Sequence, residues 1–301
     1  MTSERPRKRL KQQPLPAVGL GTVGLGTYKL GDRTEKCVLQ AVELGYRMID
    51  CAQIYKTERA VGDALAKSGI GREEMFLISK VWRSNHGYEK TYASCMQSLR
   101  DLQTNYIDLM LIHYPDCKRG WPLKRGETNP ASWTPAMRNN ETWRALEDLV
   151  FAGKLKHIGV SNYSKRHLQE LLASCRIKPF LNQIELHPCL QQRELTAYCE
   201  NNGILLQAFA SLGGGDRNAP LLQDPKIMKI AKDANKTSAQ VLLKWALQKG
   251  YSVLPKSIEK SRLTGNLELD FQLSCDHMTI LDGMDKGLRL TWKGVDPDSV
   301  A

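Results

Sequence analysis

No apolar stretch in the sequence approaches the ~20 residues that a membrane-crossing helix requires. The first residues also lack the apolar core of a secretory signal, so a cytoplasmic setting is expected. Eight cysteines are present, at positions 37, 51, 95, 117, 175, 189, 199 and 275, yet no two form a C-x-x-C pair. Their scatter argues against a zinc site and against a secreted disulfide framework. Free thiols in a reducing compartment, with no bound metal, are the expectation. Equally absent is a G-x-G-x-x-G run that follows a first strand and opens a helix. Glycines do crowd residues 19–26, but inside strand-like sequence with no phosphate-binding helix start, which sets aside an open, doubly wound dinucleotide fold.

What is present fits one large domain: α/β barrels often run to 301 residues as a single unit with a sizeable core. The net charge of +11 points toward anionic partners, either nucleic acid or phosphorylated ligands. Much of the excess is local. Arg5, Arg7, Lys8, Arg9 and Lys11 all precede the first structural signal at Leu15-Pro16. Residues 1–14 therefore read as a basic, solvated tail and residues 15–301 as the folded domain. A nuclear-import or polyanion-binding arm is the sharper alternative for the tail. No nucleic-acid reading motif accompanies it, so no nucleic-acid partner is expected.

Beyond the tail, strand and helix patterns alternate. A glycine-rich duplication, VGLGT at 18–22 and again at 23–27, predicts an N-terminal hairpin and a first strand. Further strands are predicted at residues 47–52, 75–81, 106–113, 156–161, 180–186, 204–210 and 251–256, each a short apolar run. Amphipathic helical patterns lie between them, among others at 34–44, 58–67, 88–102 and 238–247. Eight strands, each followed by a helix, predict a closed parallel (β/α)8 TIM barrel. The connection at 114–140, carrying Trp121 and Trp133, is longer than most and predicts a functional loop at the C-terminal face.

Barrels of this kind gather their chemistry at the C-terminal strand ends. Asp50, Lys80 and His113 stand there on three successive strands, and Tyr55 follows the first of them closely. An acid, an amine, an imidazole and a phenol in one ring suggest proton transfer. The phenol of tyrosine ordinarily ionises near pH ~10, and a neighbouring ammonium lowers that value. Lys80 is the candidate cation, Asp50 the anion that orients it, and His113 a hydrogen-bond donor to a substrate carbonyl oxygen. Tyr55 would then protonate that oxygen as a hydride reaches carbon, and the hydride must come from a cofactor. A Schiff-base lyase built on Lys80 is the rival reading.

The sequence resembles the aldo-keto reductase family from about Leu15 to about Trp292. The motifs that carry the resemblance are GTY (26–28), GYRMIDCAQIY (45–55), ISKVW (78–82), YIDLMLIHYP (106–115), IGVSNY (158–163), NQIELHP (182–188) and LPKS (254–257), all in order. The resemblance implies a catalytic tetrad of Asp50, Tyr55, Lys80 and His113, with Tyr55 as general acid in carbonyl reduction. It implies that Ser161, Asn162 and Gln183 bind a nicotinamide carboxamide and that Phe209 stacks on the ring. It places Lys256, Ser257 and Arg262 against a 2′-phosphate and Asn266 near the adenine. Two cations and a hydroxyl suit a phosphate dianion, so NADPH is expected over NADH.

Several positions depart from the family pattern. Phe209 stands where tyrosine is usual, Ala210 replaces a common serine, and Gly265 replaces a Glu or Gln that touches the adenine. Cys51 stands for a Thr or Ser and reads as a core filler. Tyr28, Ile54, Trp82 and Tyr114 form the expected pocket wall, which favours apolar or aromatic carbonyl compounds. The short segment after Leu281 implies an open pocket, suited to small aldehydes, dicarbonyls and quinones. A monomer is the expected assembly. A non-catalytic, redox-sensing NADPH-binding role, which some members of the family resemble, is the remaining alternative.

Overall fold

The computed structural model describes residues 22–115, 134–214, 219–292 and 297–300. The expected tail, the hairpin before Thr22 and the greater part of the long loop, residues 116–133, lie outside the described residues. Eight parallel strands follow one another in chain order around the sheet: β1 (Leu25–Gly26), β2 (Met48–Asp50), β3 (Phe76–Val81), β4 (Ile107–Ile112), β5 (Leu155–Ser161), β6 (Leu181–Glu185), β7 (Leu205–Phe209) and β8 (Ser252–Val253). The sheet closes on itself. Val23 bridges Val253 in parallel, and the Gly24 and Gly26 amides donate to the Val253 and Pro255 carbonyls at 2.9 and 3.1 Å. The fold is a (β/α)8 barrel.

The helices pack outside this cylinder: α1 (Thr34–Glu43), α2 (Glu58–Ser68), α3 (Tyr88–Asp101), α4 (Pro135–Phe151), α5 (Lys165–Ser174), α6 (Arg193–Asn201), α7 (Pro225–Asp233), α8 (Ser238–Gln248), α9 (Lys260–Leu267) and α10 (Cys275–Asp282). Local chemistry sets several of their starts. Thr237 and Gln240 cap α8 reciprocally, Thr237 accepting from the Gln240 amide at 3.2 Å and Gln240 from the Thr237 amide at 3.0 Å. Asp224 caps α7 with proline at the first helical position. The same device corrects the expected extent of the long loop. Thr134 accepts from the Met137 amide at 3.2 Å and Pro135 starts α4, so residues 135–140 are helix rather than loop.

Strand periodicity positions the site. Side chains two apart share one face of a strand. Met48, Ile78, Leu111 and Leu181 accordingly join Phe76, Leu109 and Leu254 in one apolar cluster. Two residues further along the same strands stand Asp50, Lys80, His113 and Gln183. The alternate positions, such as Ile49, Leu77, Met110 and Ile184, belong to the larger core that includes helix residues such as Val38, Val61 and Leu146. The barrel interior thus changes from apolar to polar toward the C-terminal ends of the strands.

Candidate active site

Lys80 and Asp50 form the centre of this polar layer. The Lys80 ammonium donates to both Asp50 carboxylate oxygens, at 2.5 and 2.6 Å, and to the Cys51 carbonyl at 2.9 Å. Lys80 is fully buried and Asp50 only 4% exposed. The three N–H groups of the ammonium each have an acceptor, so Lys80 offers no free lone pair for imine formation. A buried pair with complete hydrogen bonding is the form in which an ion pair survives desolvation.

Tyr55 ends a single 3-10 turn, Gln53–Tyr55, directly after β2. Its hydroxyl lies 3.4 Å from His113 Nε2, and its ring centroid 5.0 Å from Lys80 Nζ. The direction of its pKa differs from the sequence expectation. Burial, aided by the Asp50 charge, pushes the phenol well above its ordinary value. With Asp50 bonded so closely to Lys80, the ammonium does not act on Tyr55 as an isolated cation would. His113 shifts the opposite way: burial, and then the Lys80 charge, hold its imidazole well below the usual histidine value. Near neutral pH the site therefore presents a protonated phenol beside a neutral imidazole. His113 Nδ1 is buried without a partner. An under-satisfied acceptor is tolerated better than an orphaned N–H, so the ring proton belongs on Nε2. Two donors, Tyr55 Oη–H and His113 Nε2–H, then converge on one spot.

The ends of β5 and β6 lie alongside. Ser161 donates to the Gln183 carbonyl at 2.8 Å, and Asn162 Nδ2 donates to the His113 carbonyl at 2.9 Å. Gln183 Nε2 donates to Asp50 Oδ2 and to Gln207 Oε1, both at 2.8 Å. Asn162 adopts φ +60 and Ala210, next to half-buried Phe209, φ +52. Left-handed non-glycine residues of this kind gather at functional sites, where surrounding contacts hold them in place.

Aromatic rings surround the mouth. Tyr28, 51% exposed, stands with its ring 5.0 Å from that of Tyr55, and Ile54 is also exposed. Trp82 meets His113 edge-on at 5.1 Å. Tyr114 is fully buried, with Trp292 over its ring at 4.7 Å and the Arg83 guanidinium 4.9 Å from its centroid. Trp292 also stacks on Trp82 at 6.3 Å and approaches His113 at 5.9 Å. Trp292 thus stands at the mouth beside Trp82, His113 and Tyr114.

A family model described as the Aldo/keto reductase family matches residues 17–286. A glyoxal reductase of Bacillus subtilis is 42% identical over 287 residues, covering 95% of this chain and 94% of its own. A 9,11-endoperoxide prostaglandin H2 reductase of Trypanosoma cruzi is 40% identical, covering 95% of this chain and 92% of its own. Among solved structures, an aldo-keto reductase from a Medee basin deep-sea metagenome library superposes with a TM-score of 0.82 at 35% identity, covering 93% and 95% of the two chains. This chain belongs to the aldo/keto reductase family.

Membership makes the chain an oxidoreductase of carbonyl compounds. Asn162 Oδ1 is buried without a partner, an acceptor of the kind a carboxamide NH2 would satisfy. Lys256 and Ser257 occupy the turn after β8, and Arg262 is exposed in the first turn of α9. Ser257 accepts from the Glu259 amide at 3.1 Å and so shapes that turn. Asn266, 5% exposed, faces the Tyr46 hydroxyl from the inner side of α9. These residue types fit a nicotinamide dinucleotide. Cys51 is fully buried, and burial raises its thiol well above the usual range, which suits a packing role. Among the described residues no group of three or more His, Cys, Asp or Glu is placed to hold a metal ion, and no helix is long and apolar enough to cross a membrane.

Sequence reasoning missed Trp292, Glu185 and Gln207. Trp292 and Glu185 are tied to the site through contacts more than a hundred residues apart in the chain. Gln207 was legible in principle, because it precedes Phe209 by two and shares its strand face.

Proposed function

We propose that this protein reduces aldehydes and ketones to alcohols with NADPH, Tyr55 acting as general acid. The observation that carries the reading is the convergence of the Tyr55 hydroxyl and His113 Nε2, 3.4 Å apart, beside the buried Lys80–Asp50 pair. A carbonyl oxygen placed between the two would accept from both, and the bonds would strengthen as negative charge develops on it. NADPH, when bound, supplies the hydride.

The remaining work falls to side chains. His113 orients the carbonyl and keeps the Nε2 proton, while Tyr55 gives its hydroxyl proton to the oxygen. Lys80, 5.0 Å from the phenol ring, stabilises the phenolate that this transfer leaves, and Asp50 keeps Lys80 aimed. Ser161, Asn162 and Gln183 would hold the carboxamide, Phe209 the ring face, and Asn266 the adenine end. Lys256, Ser257 and Arg262 would hold the 2′-phosphate, a site for which a bidentate guanidinium is well suited. On this reading Arg262→Ala weakens NADPH binding about ten-fold or more, with little effect on NADH, because one charge-assisted phosphate contact is lost.

Tyr28, Ile54, Trp82 and Trp292 are the pocket wall, with Tyr114 behind Trp292. Small aldehydes, dicarbonyls and quinones are the expected substrates, and the glyoxal reductase activity named for the Bacillus subtilis relative supports dicarbonyls. Following NADPH absorbance against such a panel, with the product alcohol quantified, tests the proposal. One alcohol formed per NADPH consumed is expected. Tight NADPH binding with no turnover of any carbonyl would overturn it in favour of a cofactor-sensing role.

A further inference from the structure

Glu185, the last residue of β6, carries a buried carboxylate that the reductase chemistry above does not use. It is 0% exposed and accepts four hydrogen bonds. The Leu290 amide donates at 2.6 Å, the Thr291 amide at 3.0 Å and His187 Nε2 at 3.2 Å; the Thr291 hydroxyl completes the set. An ionised carboxylate is an acceptor only and can take all four, whereas an amide of the same shape would turn an NH2 against at least one donor. Burial opposes the charge, yet the bonds from His187, Thr291 and the Leu290 amide outweigh it and hold the carboxyl below its usual range.

Three of these donors belong to the segment that delivers Trp292. Upstream, the Leu288 amide donates to the Cys189 carbonyl at 2.9 Å, so the 288–291 backbone lies against the loop after β6. Trp292 itself has φ +54, a left-handed conformation that a bulky L-residue adopts only when its neighbours impose it. Thr291 is the residue immediately before it, fixed by two bonds to Glu185. The indole then rests on Tyr114, Trp82 and His113.

We propose that Glu185 is a positioning residue which latches the 290–291 backbone and thereby fixes Trp292 as the outer wall of the carbonyl pocket, setting selectivity by substrate size and aromaticity without touching substrate. The proposal rests on the carbonyl-reduction reading for its kinetic consequence, while the latch itself is a matter of backbone protection.

The test compares methylglyoxal, which is small, with 4-nitrobenzaldehyde, which carries an aromatic ring, in wild type, Glu185→Gln, Thr291→Val, Trp292→Ala and the Glu185→Gln/Trp292→Ala double variant. Loss of the latch raises KM for 4-nitrobenzaldehyde about five-fold or more while KM for methylglyoxal stays within about two-fold. The double variant is no worse than Trp292→Ala alone, because Glu185 acts through the indole. Thr291→Ser restores the wild-type ratio. Equal effects on both substrates, or losses that multiply in the double variant, would overturn the proposal. Thr291→Val keeps the carboxylate and carries the same test where Glu185→Gln does not fold. Hydrogen exchange at the Leu290 and Thr291 amides separates the two readings. Were wild type to reduce neither aldehyde, the functional reading would fall, yet faster exchange in Glu185→Gln would still uphold the latch and unchanged exchange would refute it.

Discussion

At Tyr55 the phenol meets a buried cation and a buried anion together, and burial decides the outcome. Lys80 lies 5.0 Å from the ring, but two Asp50 oxygens stand within 2.6 Å of its nitrogen. Removing one member of such a pair leaves an uncompensated buried charge. Lys80→Met is therefore expected to destabilise the fold by about 3–5 kcal/mol, and Asp50→Asn/Lys80→Met by less than the sum of the two single changes. Denaturant unfolding of the three variants checks this, and additive losses would contradict it. The histidines give a pH signature. Burial, with Arg83 and Arg138 nearby, lowers His86 from 6.5 to about 3, and His113 is likewise held below 6.5. The unfolded chain binds these protons as pH falls below 6.5, whereas the folded chain does not. The contribution of His86 to stability is thus fully present above pH 6.5 and is lost as pH falls toward 3, and that of His113 is lost in the same direction. His86→Asn should reduce the pH slope of unfolding free energy in that window by about 1.4 kcal/mol per unit. An unchanged slope would show that His86 titrates normally. That Asp50, Tyr55, Lys80 and His113 would be neighbours was legible in sequence, because four chemistry-bearing side chains recur at or just beyond strand ends. The sign of the Tyr55 shift was not, since it depends on distances that only the folded barrel defines.

Among the elements, β5 and β6 show how backbone contact sets the site. Gly159 lies two residues before Ser161, and a Cβ there would stand 2.6 Å from the Leu181 carbonyl and 2.8 Å from Leu111. Carbonyl oxygen of a paired strand cannot move aside cheaply. Gly159→Ala is expected to force β5 from β6, disturb the Ser161–Gln183 pairing, and weaken NADPH binding more than Gly283→Ala, where the nearest atoms lie at 3.4 and 3.5 Å. Fluorescence titration with NADPH measures this, and equal affinity in the two variants would contradict it. Strand existence was plain from short apolar runs, but strand ends were not. β8 is only Ser252–Val253, since Pro255 has no amide to continue the ladder. The start of α4 carried the signal Thr134-Pro135, a cap followed by a proline at the first helical position, which an apolar count overlooks.

For the whole molecule, eight alternating units foretold the closed barrel, because strands parallel to one another must be joined by crossovers on the outside. The path of the C-terminal segment was not foretold. A lone tryptophan has no periodicity, and the bonds that seat Trp292 reach back to Glu185, 105 and 106 positions away. At the C-terminal mouth the Tyr55 hydroxyl stands 3.4 Å from His113 Nε2. The most direct measurement is therefore the turnover of Tyr55→Phe against wild type with a dicarbonyl, alongside NADPH affinity of both proteins. The phenylalanine variant keeps the ring and its packing against Tyr28 and loses only the hydroxyl. The account predicts that kcat falls about 10²–10⁴-fold while the NADPH dissociation constant stays within about two-fold. A variant that turns over at the wild-type rate would contradict it, and the proton would then have to come from elsewhere.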